Sequence, residues 1–267
     1  ARCWAAAAVL LVYVRAMGLS LPRDPAVWRM LIVLAAFNTA LPFTLIFWGQ
    51  THIPSGLAAI LNATAPLFSI VLAHFATVDE KMSGRRALGV AVGFAGVVIV
   101  IGIDALRDLG VDVLAQLAVM LAAFFYASAG VYGRRFRTYP PAVIAASVLT
   151  LGGLMLLPLA ALVERPWLLP RPSYAATSSM LALAVVSTAL AFLIYFRVLA
   201  RAGATNLQLV AFLIPVSAIL LGVGFLGETL ALRHFAGMAA IAVGLAVIDG
   251  RPHQALLRAW RGKPKEV

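Results

Sequence analysis

The groups in this chain that can do chemistry are amides, hydroxyls and aromatic rings set inside long apolar runs. Asn38, Thr39, Thr44 and Trp48 share one run, and Asn62, Thr64 and Ser69 share the next. Gln116, Phe124, Tyr126 and Ser128 lie in a third, Ser187, Thr188 and Tyr195 in a fourth, and Asn206, Gln208 and Ser217 in a fifth. Such groups can hold a small molecule by hydrogen bonds and apolar contact. The chain has no His-Glu-x-x-His zinc motif, no Gly-x-Ser-x-Gly elbow and no Gly-x-x-x-x-Gly-Lys phosphate loop. Asp79, Glu80 and Glu228 stand at the ends of runs, so no carboxylate pair is available inside one. The expectation is a binding and transport function, with no catalytic residue, cofactor or metal.

Each candidate also has a plainer reading. Serine and threonine in apolar helices often bond their own backbone or pack on a neighbouring helix. Asn62 and Gln208 are stronger candidates, because an amide turned to lipid is costly. Trp48 and Tyr195 also suit an interfacial aromatic belt. His74 is the one ionisable residue read as lying well inside a run, near its inner end, where a packed or interfacial role suffices. A proton-driven carrier usually has a buried ionisable relay. With none in the visible runs, the reading favours a facilitator driven by the substrate gradient.

The elements that position these groups follow from composition. Of 267 residues, 63% are hydrophobic and 12% charged, against about 25% charged in soluble domains. Mean hydropathy is +0.99. The apolar runs fall near 3–18, 29–50, 55–77, 86–103, 112–133, 141–162, 174–197, 204–226 and 231–248. Each is long enough, or nearly so, to cross about 30 Å of hydrocarbon as a helix. Lipid offers no partners to free backbone groups, which favours helices, and runs such as Ala87–Gly102 do not alternate as barrel strands do. The predicted class is therefore an all-α polytopic membrane protein.

The net charge of +11 sorts with topology. Sixteen of the 21 basic residues collect on one side if the first run travels inward. They include Arg15, Arg23, Arg29, Lys81, Arg85, Arg86, Arg134, Arg135 and Arg137, then Arg197, Arg201 and the basic tail. Arg2, Arg107, Arg165, Arg171 and Arg233 fall outside. By the positive-inside rule the C-terminus is cytoplasmic. No basic stretch is interleaved with stacking aromatics, so nucleic acid is not an expected partner. The expected partners are a small-molecule substrate and the lipid bilayer, with the protein a monomer or weak homodimer. The single cysteine, Cys3, excludes an intrachain disulfide.

The sequence also repeats itself. Asn38-Thr39-Ala40-Leu41-Pro42-Phe43 matches Ser187-Thr188-Ala189-Leu190-Ala191-Phe192, and Pro66 matches Pro215 at the same spacing. After a one-residue slip, Glu80 matches Glu228, Gly89 matches Gly237 and Gly96 matches Gly244. Five runs separate equivalent points, so the copies enter the membrane from opposite sides, as in many secondary carriers. This predicts two five-helix halves: 1–103 and 112–250, joined by an outer linker at 104–111 and followed by a tail at 251–267. Ten helices are expected and nine are visible, with one expected before residue 1. Pro66 and Pro215 are the candidate hinges, since a proline inside a helix removes a backbone bond. The glycines at 89, 93, 96, 237 and 244 read as sites of close helix approach.

The segment Gly56-Leu57-Ala58-Ala59-Ile60-Leu61-Asn62-Ala63-Thr64-Ala65-Pro66-Leu67-Phe68 resembles the fourth helix of EamA-type members of the drug/metabolite transporter superfamily. Gly227-Glu228 before the glycine-spaced last helix is similar to that family's second repeat, and Ala1-Arg2-Cys3-Trp4 resembles the start of its second helix. The resemblance, with aromatic amino acid exporters of the YddG type foremost, implies inverted halves with both ends cytoplasmic in a bacterial inner membrane. It implies export of amino acids or similar metabolites by alternating access. It also implies that the runs at 29–50, 55–77, 112–133, 174–197 and 204–226 line the substrate cavity. The other readings are a carrier of nucleobases, sugar derivatives or drugs, an intramembrane enzyme, and a non-transporting scaffold.

Overall fold

The computed structural model describes residues 2–76, 81–102, 110–164, 172–191, 194 and 210–249. All regular structure among them is helical. The helices are α1 (Arg2–Ala16), α2 (Pro25–Gln50), α3 (Ser55–Asn62), α4 (Ala65–Ala76), α5 (Gly84–Ile101) and α6 (Val111–Gly133). They continue with α7 (Pro141–Leu159), α8 (Tyr174–Leu190), α9 (Val210–Leu226) and α10 (Leu232–Asp249). With α3 and α4 taken as one interrupted rod, nine rods among the described residues fall on the nine apolar runs. Six of them are long and apolar enough to cross a membrane, and the protein is a multi-pass membrane protein. Large apolar side chains such as Leu88, Val98, Leu121 and Leu220 face outward, as lipid requires and water would not.

Local chemistry starts these helices. The Asp24 carboxylate accepts from Ala26 N at 2.8 Å, and Pro25 occupies the first turn of α2, where its missing N–H costs nothing. Ser83 and Ser173 cap α5 and α8 in the same way.

The chain forms two compact units, and each draws on both ends of the sequence. Unit 1 comprises 1–44 and 132–210; unit 2 comprises 45–131 and 211–267. In unit 1, α1 pairs with α7, with Ala6, Ala7, Leu10, Val143, Ala146 and Leu149 buried along their contact. The first part of α2 packs on α7, and α8 packs on α1. In unit 2, α5 and α10 lie along each other so closely that a Cβ on Gly96 would meet Gly237 O at 2.7 Å, and one on Gly89 would meet Gly244 O at 2.7 Å. Because Gly89 matches Gly237 and Gly96 matches Gly244, each contact is the repeat image of the other. The core of this unit gathers Leu57, Ile60, Leu61, Leu67, Val97, Val119 and Ile241.

Candidate functional site

Unit 1 has three π-helical segments among its described residues, Ala160–Glu164 after α7 being one, and the other two stand at matched places. Residues Ala36–Ala40 of α2 and Val185–Leu190 of α8 are π-helical, and their starts are 149 residues apart, the spacing of the repeat. A π turn widens the helix and shifts its carbonyls off their usual partners. Thr39 and Thr188 lie in these turns, and both are buried. Thr39 packs against Gly152 of α7, where a Cβ would lie 2.6 Å from the threonine Cβ. The Thr188 hydroxyl donates to Leu183 O at 3.0 Å and accepts from Arg2 Nε at 3.0 Å. The Arg2 guanidinium lies over the Phe43 ring, 5.2 Å from its centroid. Asn38 beside Thr39 is half-buried, whereas Ser187 is exposed.

In unit 2 the α3–α4 rod breaks at Ala63–Thr64. Proline 66 has no N–H to offer Asn62 O, four residues back, so the helix stops there. The fully buried Thr64 hydroxyl donates to Leu61 O at 2.6 Å, and Thr64 O accepts from Leu67 N and Phe68 N, which starts α4. Pro66 thus stands in the first turn of a new helix, whereas the sequence reading placed it inside a kinked one. Pro215 lies within the continuous helix α9. Asn62 Oδ1 and Gln116 Oε1 are buried and have no hydrogen-bond partner among the described residues. A buried acceptor left unpaired costs about 1–3 kcal/mol, so these two oxygens are the groups of unit 2 most ready to receive a donor. Phe68 meets Phe94 and Phe124 edge-on, at centroid distances of 5.1 and 5.7 Å, and Tyr126 is half-buried on the same helix as Phe124.

Other candidates are committed to their own backbone. Thr44, Ser128 and Ser217 donate to Ala40 O, Phe124 O and Ile214 O, the plainer reading given above. Trp48 is exposed and sits 5.1 Å from the His52 ring. His74 Nδ1 accepts from Met82 N at 3.0 Å, a structural bond. Tyr195, Asn206 and Gln208 lie outside the described residues, as do Asp79 and Glu80.

Two features escaped the sequence reading. Arg2 was assigned to an outer connection, yet it is helical, half-buried and bonded to Thr188. Glu228, a run-end acid and the repeat match of Glu80, reaches the start of α3, where Ser55 N and Gly56 N donate to its two oxygens at 2.8 and 3.0 Å. Pro54 precedes α3 and has no side chain able to cap it, so the distant carboxylate satisfies two N–H groups that helix starts leave open. Gly227 holds a left-handed backbone (φ 64°) just before it, a conformation that glycine adopts without strain. Burial raises the Glu228 pKa, but the bonds from the Ser55 side chain and the Gly56 and Ser55 backbone outweigh it and leave the carboxyl below its ordinary value.

Residues 1–102 and 113–249 match the EamA-like transporter family. The chain belongs to this family. Among similar sequences, Protein PecM of Dickeya dadantii is 27% identical over 243 residues, covering 87% of this chain and 77% of its own. An uncharacterised transporter of Bacillus subtilis, YoaV, is 26% identical over 206 residues, covering 75% and 68%. A probable terminal-alkyne amino-acid exporter of Streptantibioticus cattleyicolor is 27% identical over 209 residues, covering 78% and 68%. A crystal structure at 21% identity superposes with a TM-score of 0.63, covering 92% of this chain and 85% of that one, and so shares the fold. This EamA-family chain is accordingly a transporter, and relatives such as YoaV of Bacillus subtilis and YedA of Escherichia coli bear the names of transporters.

Proposed function

We propose that this chain is a secondary carrier of a bacterial inner membrane that exports small metabolites, amino acids including aromatic ones foremost, by alternating access. The single observation that carries the reading is the pair of π turns at Thr39 and Thr188, 149 residues apart. Interrupted helices in corresponding places of two inverted halves are where secondary carriers of this plan bind their solutes. Within unit 2, the unspent Asn62 and Gln116 oxygens and the Phe68–Phe124 aromatic pair supply amide and apolar groups of the kind an amino acid would use. The amino-acid exporter among the similar sequences supports the substrate class, and the one-sided placement of basic loops supports a cytoplasmic C-terminus. The halves proposed are 1–103 and 112–250, and the carrier is taken to be uncoupled from a proton.

Counterflow of labelled L-phenylalanine in proteoliposomes of the full-length protein tests this. Saturable exchange is expected, with no dependence on a pH gradient. Absence of exchange for aromatic, aliphatic and polar amino acids alike would remove the substrate assignment.

The proline positions give a second expectation. Pro66→Ala restores an N–H opposite Asn62 O and lets α3 run into α4, and Pro215→Ala straightens α9. Each should lower flux by about tenfold, as gating mutants do, while the detergent melting midpoint stays near that of the wild type. Wild-type flux in both variants would end the hinge assignment.

A further inference from the structure

We propose that Arg2, held by Thr188 and Phe43, is the subsite for the carboxylate of the transported solute. The inference rests on the transport reading above and adds to it the charge class of the ligand end bound here.

Arg2 is half-buried in the first turn of α1, among helices of unit 1. Cys3, its neighbour in α1, sits against Gly153, where a Cβ would stand 3.4 Å from the cysteine Cβ. Gly153 lies at the middle of the span Pro141–Val163. An ionised side chain at such depth is costly and is kept where it has a partner or a task. Arg2 has no carboxylate partner among the described side chains. Of its five N–H donors, Nε–H is donated to Thr188. The four N–H groups on the two Nη atoms have no described acceptor.

The surroundings set the fork rigidly. The Thr188 hydroxyl gives its proton to Leu183 O, which leaves its lone pairs to accept from Arg2. The Phe43 ring covers one face of the guanidinium and favours its charge. The part without a described acceptor is the end-on edge, the two Nη groups side by side, which matches the two oxygens of a carboxylate.

Packing alone does not require this arginine. The repeat places the same threonine in the same π turn at Thr39, and there the partner helix offers Gly152. The position 149 residues after Arg2 is Leu151. One copy of the threonine contact is therefore made without any cation, and the cation in the other copy is a departure that helix packing does not explain.

The test uses the full-length protein purified in detergent, with three probes that differ only in their polar end: L-phenylalanine, 3-phenylpropionate and phenethylamine. Binding is read by calorimetry and by ligand-induced thermal shift. L-Phenylalanine and 3-phenylpropionate should bind and phenethylamine should not. Arg2→Gln should weaken both carboxylates at least about tenfold, with an unliganded melting midpoint near that of the wild type. Arg2→Lys should weaken them about fivefold, since a point charge does not reproduce the fork. If Arg2→Gln does not fold, the three-probe comparison in the wild type and the lysine variant decide. The inference is overturned if phenethylamine binds as well as 3-phenylpropionate, if neither carboxylate binds, or if the Arg2 variants bind carboxylates as the wild type does. Flux separates the two claims. Arg2-dependent binding without flux would sink the transport reading and keep the subsite, and flux unchanged in Arg2→Lys would do the reverse.

Discussion

Gly96→Val should destabilise the protein by about 3 kcal/mol or more, the upper end for overpacking a tight contact, and Gly244→Val should do the same. The atoms that an added Cβ would meet at Gly96 are Gly237 O at 2.7 Å, Ile241 N at 2.8 Å and the Ala240 Cβ at 3.0 Å. At Gly244 they include Gly93 N at 2.7 Å. Most of these are backbone atoms, so no side-chain rotamer change relieves the clash and α5 and α10 must separate. In lipid there is little hydrophobic drive to press them together again, because close packing of small residues is itself what holds such pairs. The measurement is the melting midpoint and monodispersity in detergent. Gly130→Ala is the control: a Cβ there meets nothing within 4 Å, and replacing a helical glycine by alanine should gain about 0.5–1 kcal/mol. Equal behaviour of the Gly96 and Gly130 variants would refute the close crossing.

Glu228→Gln should lower the melting midpoint at neutral pH, by about 1–2 kcal/mol in stability, the usual worth of a helix cap with a charged acceptor. The glutamine amide can accept at its oxygen, but its NH₂ turns a donor toward Ser55 N or Gly56 N, which already donate. Partial exposure keeps the effect at this modest size. The sign with pH follows from the depressed pKa of Glu228. Its stabilisation is fully present above the ordinary carboxylate pKa and is lost as pH falls through the lower folded value. Melting curves taken from pH 7 down to about pH 3 should therefore bring the wild type and the glutamine variant together at the acid end. A constant gap across that range would show that Glu228 does not act through its charge on the start of α3. A further control is Glu228→Asp, which keeps the charge but shortens the reach, and should recover less than half of the loss.

The helical runs were legible because a bilayer permits few ways of satisfying the backbone, so length and hydropathy nearly suffice. Glycines 89, 96, 237 and 244 were legible as close-approach sites because their spacing puts small residues on one side of a helix. The break at Ala63–Thr64 was half legible: proline announced that a bond was missing, but not whether the helix would bend or stop. It stops because Thr64 supplies the acceptors for a fresh start. The Val185–Leu190 turn carried no local signal, whereas beside Ala36–Ala40 the signal was Pro42, which has no N–H to offer Asn38 O four residues back.

From composition and run length, the chain's order alone determined the membrane class and the helical elements. Those features depend on the solvent and on local periodicity, and both are written residue by residue. Tertiary structure alone decided that Arg2 meets Thr188, 186 positions away, and that Glu228 meets Ser55, 173 positions away. A charged side chain finds its partner through the packing of whole helices. Neither the depth of a guanidinium nor the reach of a carboxylate is encoded in the residues beside it.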